Sequence, residues 1–454
     1  MNLASIKVVL FSFLISIETI AFATNVDNFN FPEENNESRF KVSKMQSYLR
    51  SRSVNRKDEK TLCKQDITQL QKSADQEDAT AQCVMGYRYE EGIGVEQSYE
   101  KAVYWYRKAA DQGDVDAQYN LATLFVKGQG VAQSYEQAAY WWRKAAEQGD
   151  VTAQFNLATL FVEGQGVKQS DEQAVYWYRK AADQGDVKSQ LNLAYMYQQG
   201  EGVEQSEEQS VYWYRKAAEK GNAAAQYRLG CKYKYGHGVK QSDEQAIYWY
   251  RKAAEQGEVS SQMNLGLSYL YGQIVQKSPE QAAYWFRKAA EQGHRLGQFL
   301  WGELCFAGHG VKQSYTQALY WYRKSAEQGF ADSQYKLSMM YFKGQGVEQS
   351  DEQTLYWCRK AAEQGNPSAQ FLIGVLTYNG RGIAQSYDQA ISWFRKAAEQ
   401  GESNAQINLG VMYEHGRGVE QSYEKAAYWY HEAVKRGNQA AVKRYSRVKE
   451  KMQK

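Results

Sequence analysis

Histidine side chains are the first place to look for metal or catalytic chemistry in this 454-residue chain, which has five of them. His237 and His309 are 72 residues apart, which is twice a 36-residue period in the sequence, and they occupy equivalent loop positions. At ordinary helix spacing two such units place them about 20 Å apart. That separation is too large for them to share a metal ion at bonds of about 2 Å. The chain has no HExxH motif, no GxSxG motif and no Cys/His nucleophile pairing. We therefore predict no catalytic residues, no metal site and no cofactor.

The five cysteines show neither CxxC spacing nor regular pairs; they are Cys63, Cys83, Cys231, Cys305 and Cys358. Such spacing favours core packing over a disulfide framework, with a Cys63–Cys83 bridge as the alternative. Gly-x-Gly elements, from Gly92/Gly94 to Gly416/Gly418, follow predicted helices and not strands, so they are interpreted as helix ends and not as nucleotide loops. Recurrent carboxylates such as Glu100 and Glu136 fall at helix starts, which the helix dipole favours.

The elements that position these residues repeat with a fixed period. Ten tryptophans follow one another at steps of 36 residues: Trp105, Trp141, Trp177, Trp213, Trp249, Trp285, Trp321, Trp357, Trp393 and Trp429. A glycine from Gly113 to Gly437 and a glutamine from Gln82 to Gln406 keep the same register. Such regularity is typical of a stack of identical supersecondary units. We number ten repeats over residues 78–437, so that repeat one is 78–113 and repeat ten is 402–437.

Each unit reads as a helical hairpin. In repeat two, Asp114 is the candidate N-cap of helix A, predicted over about Val115–Lys127 and stopped by Gly128. Ser134 is the candidate N-cap of helix B, with Gln137 in the capping-box position. Helix B is predicted to run to about Gln148. In repeat six Ile274 replaces the second loop glycine, so we expect that loop to differ locally.

The remaining segments complete the predicted domain organisation. Residues 61–77 are interpreted as an N-terminal capping half-repeat and residues 438–454 as a basic C-terminal capping helix. Residues 24–60 are polar and basic and are expected to be flexible. Basic residues concentrate at 39–60 and 435–454, with net charges of +6 and +7. We interpret them as solvated ends, and predict no nucleic-acid partner.

The N-terminus has the pattern of a secretory signal peptide over residues 1–23. An apolar run over Val8–Ile17 precedes Ala21-Phe22-Ala23, a small-x-small cleavage pattern. An uncleaved anchor is the alternative, although the apolar run is shorter than the roughly 20 residues that a membrane span needs. We predict an exported protein, periplasmic or secreted, with no stable membrane span after cleavage.

The repeated unit resembles the Sel-one-like repeat, a relative of the tetratricopeptide repeat. The match is carried by Ala225-Ala-Gln-Tyr-Arg-Leu-Gly230 and Ala246-Ile-Tyr-Trp-Tyr-Arg-Lys-Ala-Ala-Glu-Gln-Gly257. The resemblance implies an all-α fold, a right-handed α/α superhelical solenoid of tandem helix-turn-helix repeats that acts as an adaptor. Bacterial members work in envelope processes, signalling or host contact. One exported branch, rich in cysteine pairs, has been linked to β-lactamase activity, but those pairs are missing here.

A second apolar stripe on helix A runs through positions i, i+4 and i+7, and the residues at its first position (i) and third position (i+7) could bind a partner. By resemblance to tetratricopeptide arrays they line the concave groove, and we expect them to hold a peptide or helix of another protein. The first-position residues include Tyr227, Phe299, Tyr335 and Phe371; the third-position residues include Leu270, Phe306, Phe342 and Tyr378. Packing within the repeat is the alternative for both positions. A non-catalytic interaction scaffold is the preferred function, and a cell-wall-active enzyme or glycan-binding module is the other.

Overall fold

A computed structural model describes the chain from residue 59 to residue 453, with side chains from residue 67 onward. The predicted signal peptide and almost all of the predicted flexible segment therefore lie outside the described residues. Every regular element within them is an α-helix. None of the described helices is both long and apolar enough to cross a membrane. The chain divides into two compact units, of which the first ends at Gln184 and the second begins at Gly185.

The first unit contains an N-terminal helix and three helical hairpins. Its helices are α1 (Glu59–Asp75), α2 (Ala79–Glu91), α3 (Tyr99–Asp111), α4 (Val115–Lys127), α5 (Tyr135–Glu147), α6 (Val151–Glu163) and α7 (Asp171–Asp183). Consecutive helices pack against one another throughout this unit.

The second unit contains seven hairpins and a C-terminal helix. Its helices are α8 (Val187–Gln199), α9 (Glu207–Glu219), α10 (Ala223–Tyr235), α11 (Asp243–Glu255), α12 (Val259–Tyr271), α13 (Pro279–Glu291), α14 (Arg295–Ala307), α15 (Tyr315–Glu327), α16 (Ala331–Lys343), α17 (Asp351–Glu363), α18 (Pro367–Asn379), α19 (Tyr387–Glu399), α20 (Ser403–His415), α21 (Tyr423–Lys435) and α22 (Gln439–Met452). Consecutive helices again pack together. From α2 to α20 the even-numbered helices are the A helices of the repeats, and from α3 to α21 the odd-numbered ones are the B helices.

Local capping chemistry determines where the helices begin and end. Asp114 Oδ1 accepts from Ala117 N at 2.8 Å, and Gly128 ends α4 with a φ of 65°. Ser134 Oγ accepts from Gln137 N at 3.2 Å, as predicted. The reciprocal half of the capping box is not formed, because the Ser134 N–H donates to the carbonyl of Phe125 at 3.0 Å. The N-cap residue of helix B is thus joined by a backbone hydrogen bond to helix A of the same repeat.

The second glycine of the Gly-x-Gly loop between helix A and helix B permits a close approach between repeats. Gly130 has a φ of 69°, and a Cβ there would lie 2.3 Å from the carbonyl carbon and oxygen of Tyr99, at the start of α3. Only glycine fits without a backbone shift. Apart from glycines, Glu77 is the one described residue with a positive φ. Ile274 therefore does not reproduce the glycine conformation, and the loop of repeat six differs as predicted.

Within a hairpin, a small residue on helix A faces a tyrosine or phenylalanine on helix B. In repeat five a Cβ on Gly230 would lie 2.7 Å from the ring of Tyr250, which is 1% exposed. Replacing the small residue would push the two helices apart, because the interior is close-packed. The cysteines join this core: Cys305 and Cys358 are buried free thiols, and Cys231 is a half-buried one.

The recurrent glutamine joins one repeat to the next. Gln262 of α12 is buried; its Nε2 donates to the carbonyl of Ala254 in α11 at 3.0 Å, and its Oε1 accepts from Gln292 Nε2 at 2.8 Å. The same pattern recurs for Gln226, which donates to Ala218 and accepts from Gln256. The amide thus adds a side-chain hydrogen bond to a carbonyl at the end of the preceding B helix, which in repeat five also accepts from Gly257 N, and this contact between repeats explains why glutamine keeps this register.

Candidate functional site

The first-position residues of the second unit lie largely within the packing of each hairpin. Phe371 meets Phe394 with ring centroids 6.0 Å apart, and Tyr227 meets Tyr250 at the same distance. Phe299 lies between Tyr322 and Phe330 and is only 9% exposed. These side chains therefore anchor helix A to helix B, and Phe299 has little surface left for a partner.

Tyr335 occupies the same position in repeat eight and is half-buried against the cluster around Cys358. Burial of the phenol raises the pKa of Tyr335 to about 12. The hydroxyl therefore stays protonated at neutral pH and can act as a hydrogen-bond donor. It cannot act as a general base under those conditions.

The third-position residues keep more of their surface. Leu270, Phe306, Phe342 and Tyr378 come from four consecutive repeats and are all half-buried. Phe306 contacts Tyr315 with ring centroids 5.1 Å apart, and Tyr378 contacts Tyr387 at the same distance. Each of these two rings thus contacts the first residue of its own B helix, and each keeps part of its surface exposed.

Arginines from the following loop border two of these rings. The guanidinium of Arg381 lies 4.2 Å from the ring centroid of Phe342 and pairs with Asp351, with Nε 2.8 Å from Oδ1. Arg417 donates to the hydroxyl of Tyr378, and its guanidinium lies 5.9 Å from that ring centroid. An apolar ring with a guanidinium beside it can bind side chains by van der Waals contact and by charge.

At the end of the array the C-terminal helix covers the third position. Glu414 of repeat ten is buried, and α22 supplies Arg447 Nη2 at 2.8 Å and Lys451 Nζ at 3.1 Å from its carboxylate. Burial by itself would raise the pKa of Glu414, but the hydrogen bonds from Arg447, Lys451 and Tyr430 outweigh it and lower the pKa. In repeat ten the third-position stripe therefore ends at a cluster of charged and polar side chains.

Groups suited to metal or acid–base chemistry are dispersed in the described part of the chain. From Ile67 to Gln453, three or more His, Cys, Asp and Glu side chains never come together as a metal cluster. His294 caps α14, its Nδ1 accepting from Gly297 N at 3.2 Å, and burial lowers its pKa. This histidine is accounted for by helix capping.

Exposed tyrosines on the B helices form a feature that the sequence reasoning missed. Each directly precedes a repeat tryptophan, stacks edge-on against it at 4.8 to 5.0 Å, and is 48% to 58% exposed. They are Tyr104, Tyr140, Tyr176, Tyr212, Tyr248, Tyr284, Tyr320, Tyr356 and Tyr428. The signal was available, because the tyrosine shares the 36-residue step of the tryptophan.

Comparison with known proteins gives one consistent result. The family model described as Sel1 repeat matches ten times in succession, at residues 79–114, 115–150, 151–186, 187–222, 223–258, 259–294, 295–330, 331–366, 367–402 and 403–438. Among curated proteins, none matches the chain significantly.

Two solved structures share the architecture. One is a protective antigen of uropathogenic Escherichia coli strains that displays an SLR fold; it is 39% identical, with a TM-score of 0.74, over 86% of this chain and 84% of that one. The other is a Sel1 repeat protein from Oxalobacter formigenes; it is 32% identical, with a TM-score of 0.55, over 72% of this chain and 93% of that one.

Proposed function

This chain belongs to the Sel1 repeat family, and on that premise we propose that it is a non-catalytic scaffold that binds other proteins. The ligand is a peptide or helix of a partner protein, held against the A helices of repeats six to nine. The consecutive helical hairpins and the similarity to Sel1 repeat structures support an interaction role. Repeat arrays present extended surfaces of this kind.

The observation that carries this proposal is the run of half-buried third-position residues Leu270, Phe306, Phe342 and Tyr378. In repeats three to five the same position holds Val162, Gln198 and Lys234, so the large apolar run is restricted to repeats six to nine. Large apolar rings held in place by packing make strong anchors, because little conformational entropy is lost on binding. A helix or extended peptide with regularly spaced apolar residues would match such a run.

We place this role outside the cytoplasm, in the periplasm or in the secreted fraction, in envelope or host-interaction processes. Two observations support it: the signal-peptide pattern over residues 1–23, and the 39% identity to a protein described as a protective antigen. Fractionation of cells that express the chain, followed by N-terminal sequencing of the mature protein, tests the export step.

A triple substitution tests the groove. Replacing Phe306, Phe342 and Tyr378 with serine should abolish capture of partner proteins from envelope and host-cell lysates. The matched control replaces Tyr248, Tyr284 and Tyr320 of the B helices, which are 49% to 51% exposed, with serine. Capture that survives the groove substitutions, with the same proteins identified by mass spectrometry, would overturn the proposed site.

The groove variant also needs a folding check, because Phe306 packs against Tyr315 and Tyr322. We expect the groove variant to have a lower melting temperature but unchanged helical content at about 25 °C. The non-catalytic part is tested with the purified protein. Turnover of a β-lactam or of peptidoglycan would show that a cell-wall-active enzyme is the correct function.

A further inference from the structure

Helix α10 and the loop that follows it carry an uncompensated positive charge. Residues 223–241 contain Arg228, Lys232, Lys234 and Lys240 and no Asp or Glu. The N-cap of α10 is Asn222, where repeats two, three and four have aspartate. The helix A of repeat five is therefore basic in sequence.

One of these cations is already neutralised. Lys232 is buried and its ammonium group pairs with Glu207 of α9, the B helix of the preceding repeat. Arg228 and Lys234 are only half-buried, and within the part of the chain that the structure describes neither makes an ion pair. Glu258 offers no alternative partner, because both of its carboxylate oxygens accept from backbone amides at the start of α12.

One aromatic ring lies beside each of the two unpaired cations. The guanidinium of Arg228 lies 5.9 Å from the ring centroid of Tyr227, and Lys234 Nζ lies 4.9 Å from that of Tyr235. Tyr235 is 43% exposed and stacks on His237 at 5.9 Å. At 100° per residue, Tyr227, Arg228, Lys234 and Tyr235 fall within one side of α10. This side is the one that carries the first- and third-position residues.

The charge stops abruptly at the next repeat. Helix α12 contains no charged residue, and the positions equivalent to Arg228 and Lys234 are Asn264 and Leu270. From there the third-position stripe is apolar through Phe306, Phe342 and Tyr378. One continuous row of A helices in the second unit thus presents a basic end in repeat five and an apolar run in repeats six to nine.

We propose that repeat five is the acidic-residue subsite of this groove, and that the partner segment carries Asp or Glu side chains next to its apolar anchors. The inference rests on the proposed function and specifies the chemistry of its ligand. Carboxylates of the partner pair with Arg228 and Lys234, and its apolar residues contact Leu270 and the rings beyond. With neighbouring A helices about 10 Å apart, an extended peptide advances roughly three residues per repeat.

A polypeptide suits this surface better than a nucleic acid or a lipid surface. A single-stranded nucleic acid carries one phosphate per nucleotide along its whole path. A strand bound at repeat five and continuing along the groove would bring phosphates against uncharged α12, where they would be desolvated without a partner. An anionic membrane would need cations spread over a broad face, and here two unpaired cations adjoin an apolar stripe.

The test selects ligands from a random library displayed on phage, with peptides of about 12 residues, enough to span four repeats at that spacing. The full chain is the bait. The test variant carries Arg228→Glu and Lys234→Glu, and the matched control carries Lys252→Glu and Lys288→Glu, two exposed lysines of the B helices. Both variants change the net charge equally, so a difference between them reports the local site. Circular dichroism melts verify that each is folded.

We expect selected peptides to combine an acidic cluster with apolar residues on one side of it. Their affinity should fall by about tenfold or more in the test variant, remain unchanged in the control, and weaken with added salt. Apolar peptides that ignore both variants would overturn the acidic subsite and leave the groove intact. Failure to select any peptide would overturn the groove as well. Equally tight, Arg228-dependent binding of polyuridylate or phosphatidylglycerol vesicles would overturn the assignment to a polypeptide.

Discussion

The hydroxyl of Tyr430 donates to Oε2 of Glu414 at 3.0 Å, and Tyr106 makes the corresponding bond to Glu90 at 2.7 Å. Glu90 and Glu414 occupy the third position of the first and the tenth repeat, and both are buried. Their pKa values nevertheless shift in opposite directions. The pKa of Glu90 is raised, chiefly by burial, whereas that of Glu414 is lowered because the hydrogen bonds from Arg447, Lys451 and Tyr430 outweigh burial.

Glu414→Gln should loosen the C-terminal helix at neutral pH. A glutamine cannot attract Arg447 and Lys451 as a carboxylate does, and we expect α22 to lose about 1–2 kcal/mol of local stability. Hydrogen–deuterium exchange of the α22 amides measures this directly. Because the folded pKa lies below the unfolded value of about 4.3, the carboxylate stabilises above that pH and loses its effect as the pH falls through the folded pKa. A difference that persists at pH values well below the lowered folded pKa would contradict the charge argument.

Glu90→Gln should have the opposite effect on stability at neutral pH. The folded pKa of Glu90 lies above the unfolded value, so the protonated form stabilises the fold at low pH and that stability is lost as the pH rises through the folded pKa. At neutral pH the glutamine keeps an acceptor for Tyr106 without a buried charge. We expect a melting temperature equal to or above that of the unmodified protein at neutral pH. A lower one, with Glu414→Gln as comparison, would refute the burial explanation.

Gly130→Ala should be far more disruptive than Gly149→Ala. Both glycines have a positive φ, so an alanine at either position is strained by about 1 kcal/mol. At Gly130 a Cβ would also meet the Tyr99 backbone at 2.3 Å, whereas at Gly149 no atom lies within 4 Å. We expect Gly130→Ala to reduce the free energy of unfolding by at least about 2 kcal/mol more than Gly149→Ala. Equal losses in urea titrations would show that the contact between repeats yields easily.

Gln262→Ala should weaken the junction between repeats five and six. It removes the donor to the Ala254 carbonyl and the acceptor for Gln292, both inside the repeat interface. The Ala254 carbonyl keeps its backbone bond from Gly257 N at 3.0 Å, so the variant loses two side-chain hydrogen bonds, a loss of about 1–3 kcal/mol in total. Gln292→Ala is the comparison, because it removes only the bond to Gln262 Oε1 and leaves the bond from Gln262 to the Ala254 carbonyl in place; we expect about half of that loss. Equal urea midpoints for the two variants would contradict the proposed role of the buried amide.

Much of the fold follows from local sequence chemistry. The 36-residue step, the Asp and Ser caps and the loop glycines predict helix A over Val115–Lys127, and the structure has that helix at those bounds. Helix B begins at Tyr135 as predicted and ends one residue earlier, at Glu147. Caps and glycines act within a few residues, so their effect can be read without the fold. Among the caps of this repeat, the prediction was wrong for the reciprocal capping-box bond at Ser134, because Phe125, across the loop, supplies the acceptor.

The surroundings of the candidate site could not be predicted in the same way. The periodic pattern places Phe299 and Phe306 on one side of helix A, but burial between Tyr322 and Phe330 leaves only the second with much accessible surface. The arginines beside Phe342 and Tyr378 come from loops 39 residues away in sequence. No local rule connects positions so far apart.

The sequence by itself therefore determined the repeat, its helices and the positions that vary among repeats, because period, caps and amphipathic faces are properties of neighbouring residues. Tertiary structure decided what those variable positions do. Glu90 and Glu414 are equivalent in sequence, yet only the second is held by Arg447 and Lys451. Whether a buried carboxylate destabilises or stabilises the fold depends on which charged groups the packed helices bring within about 4 Å of it. Only folding brings those groups together.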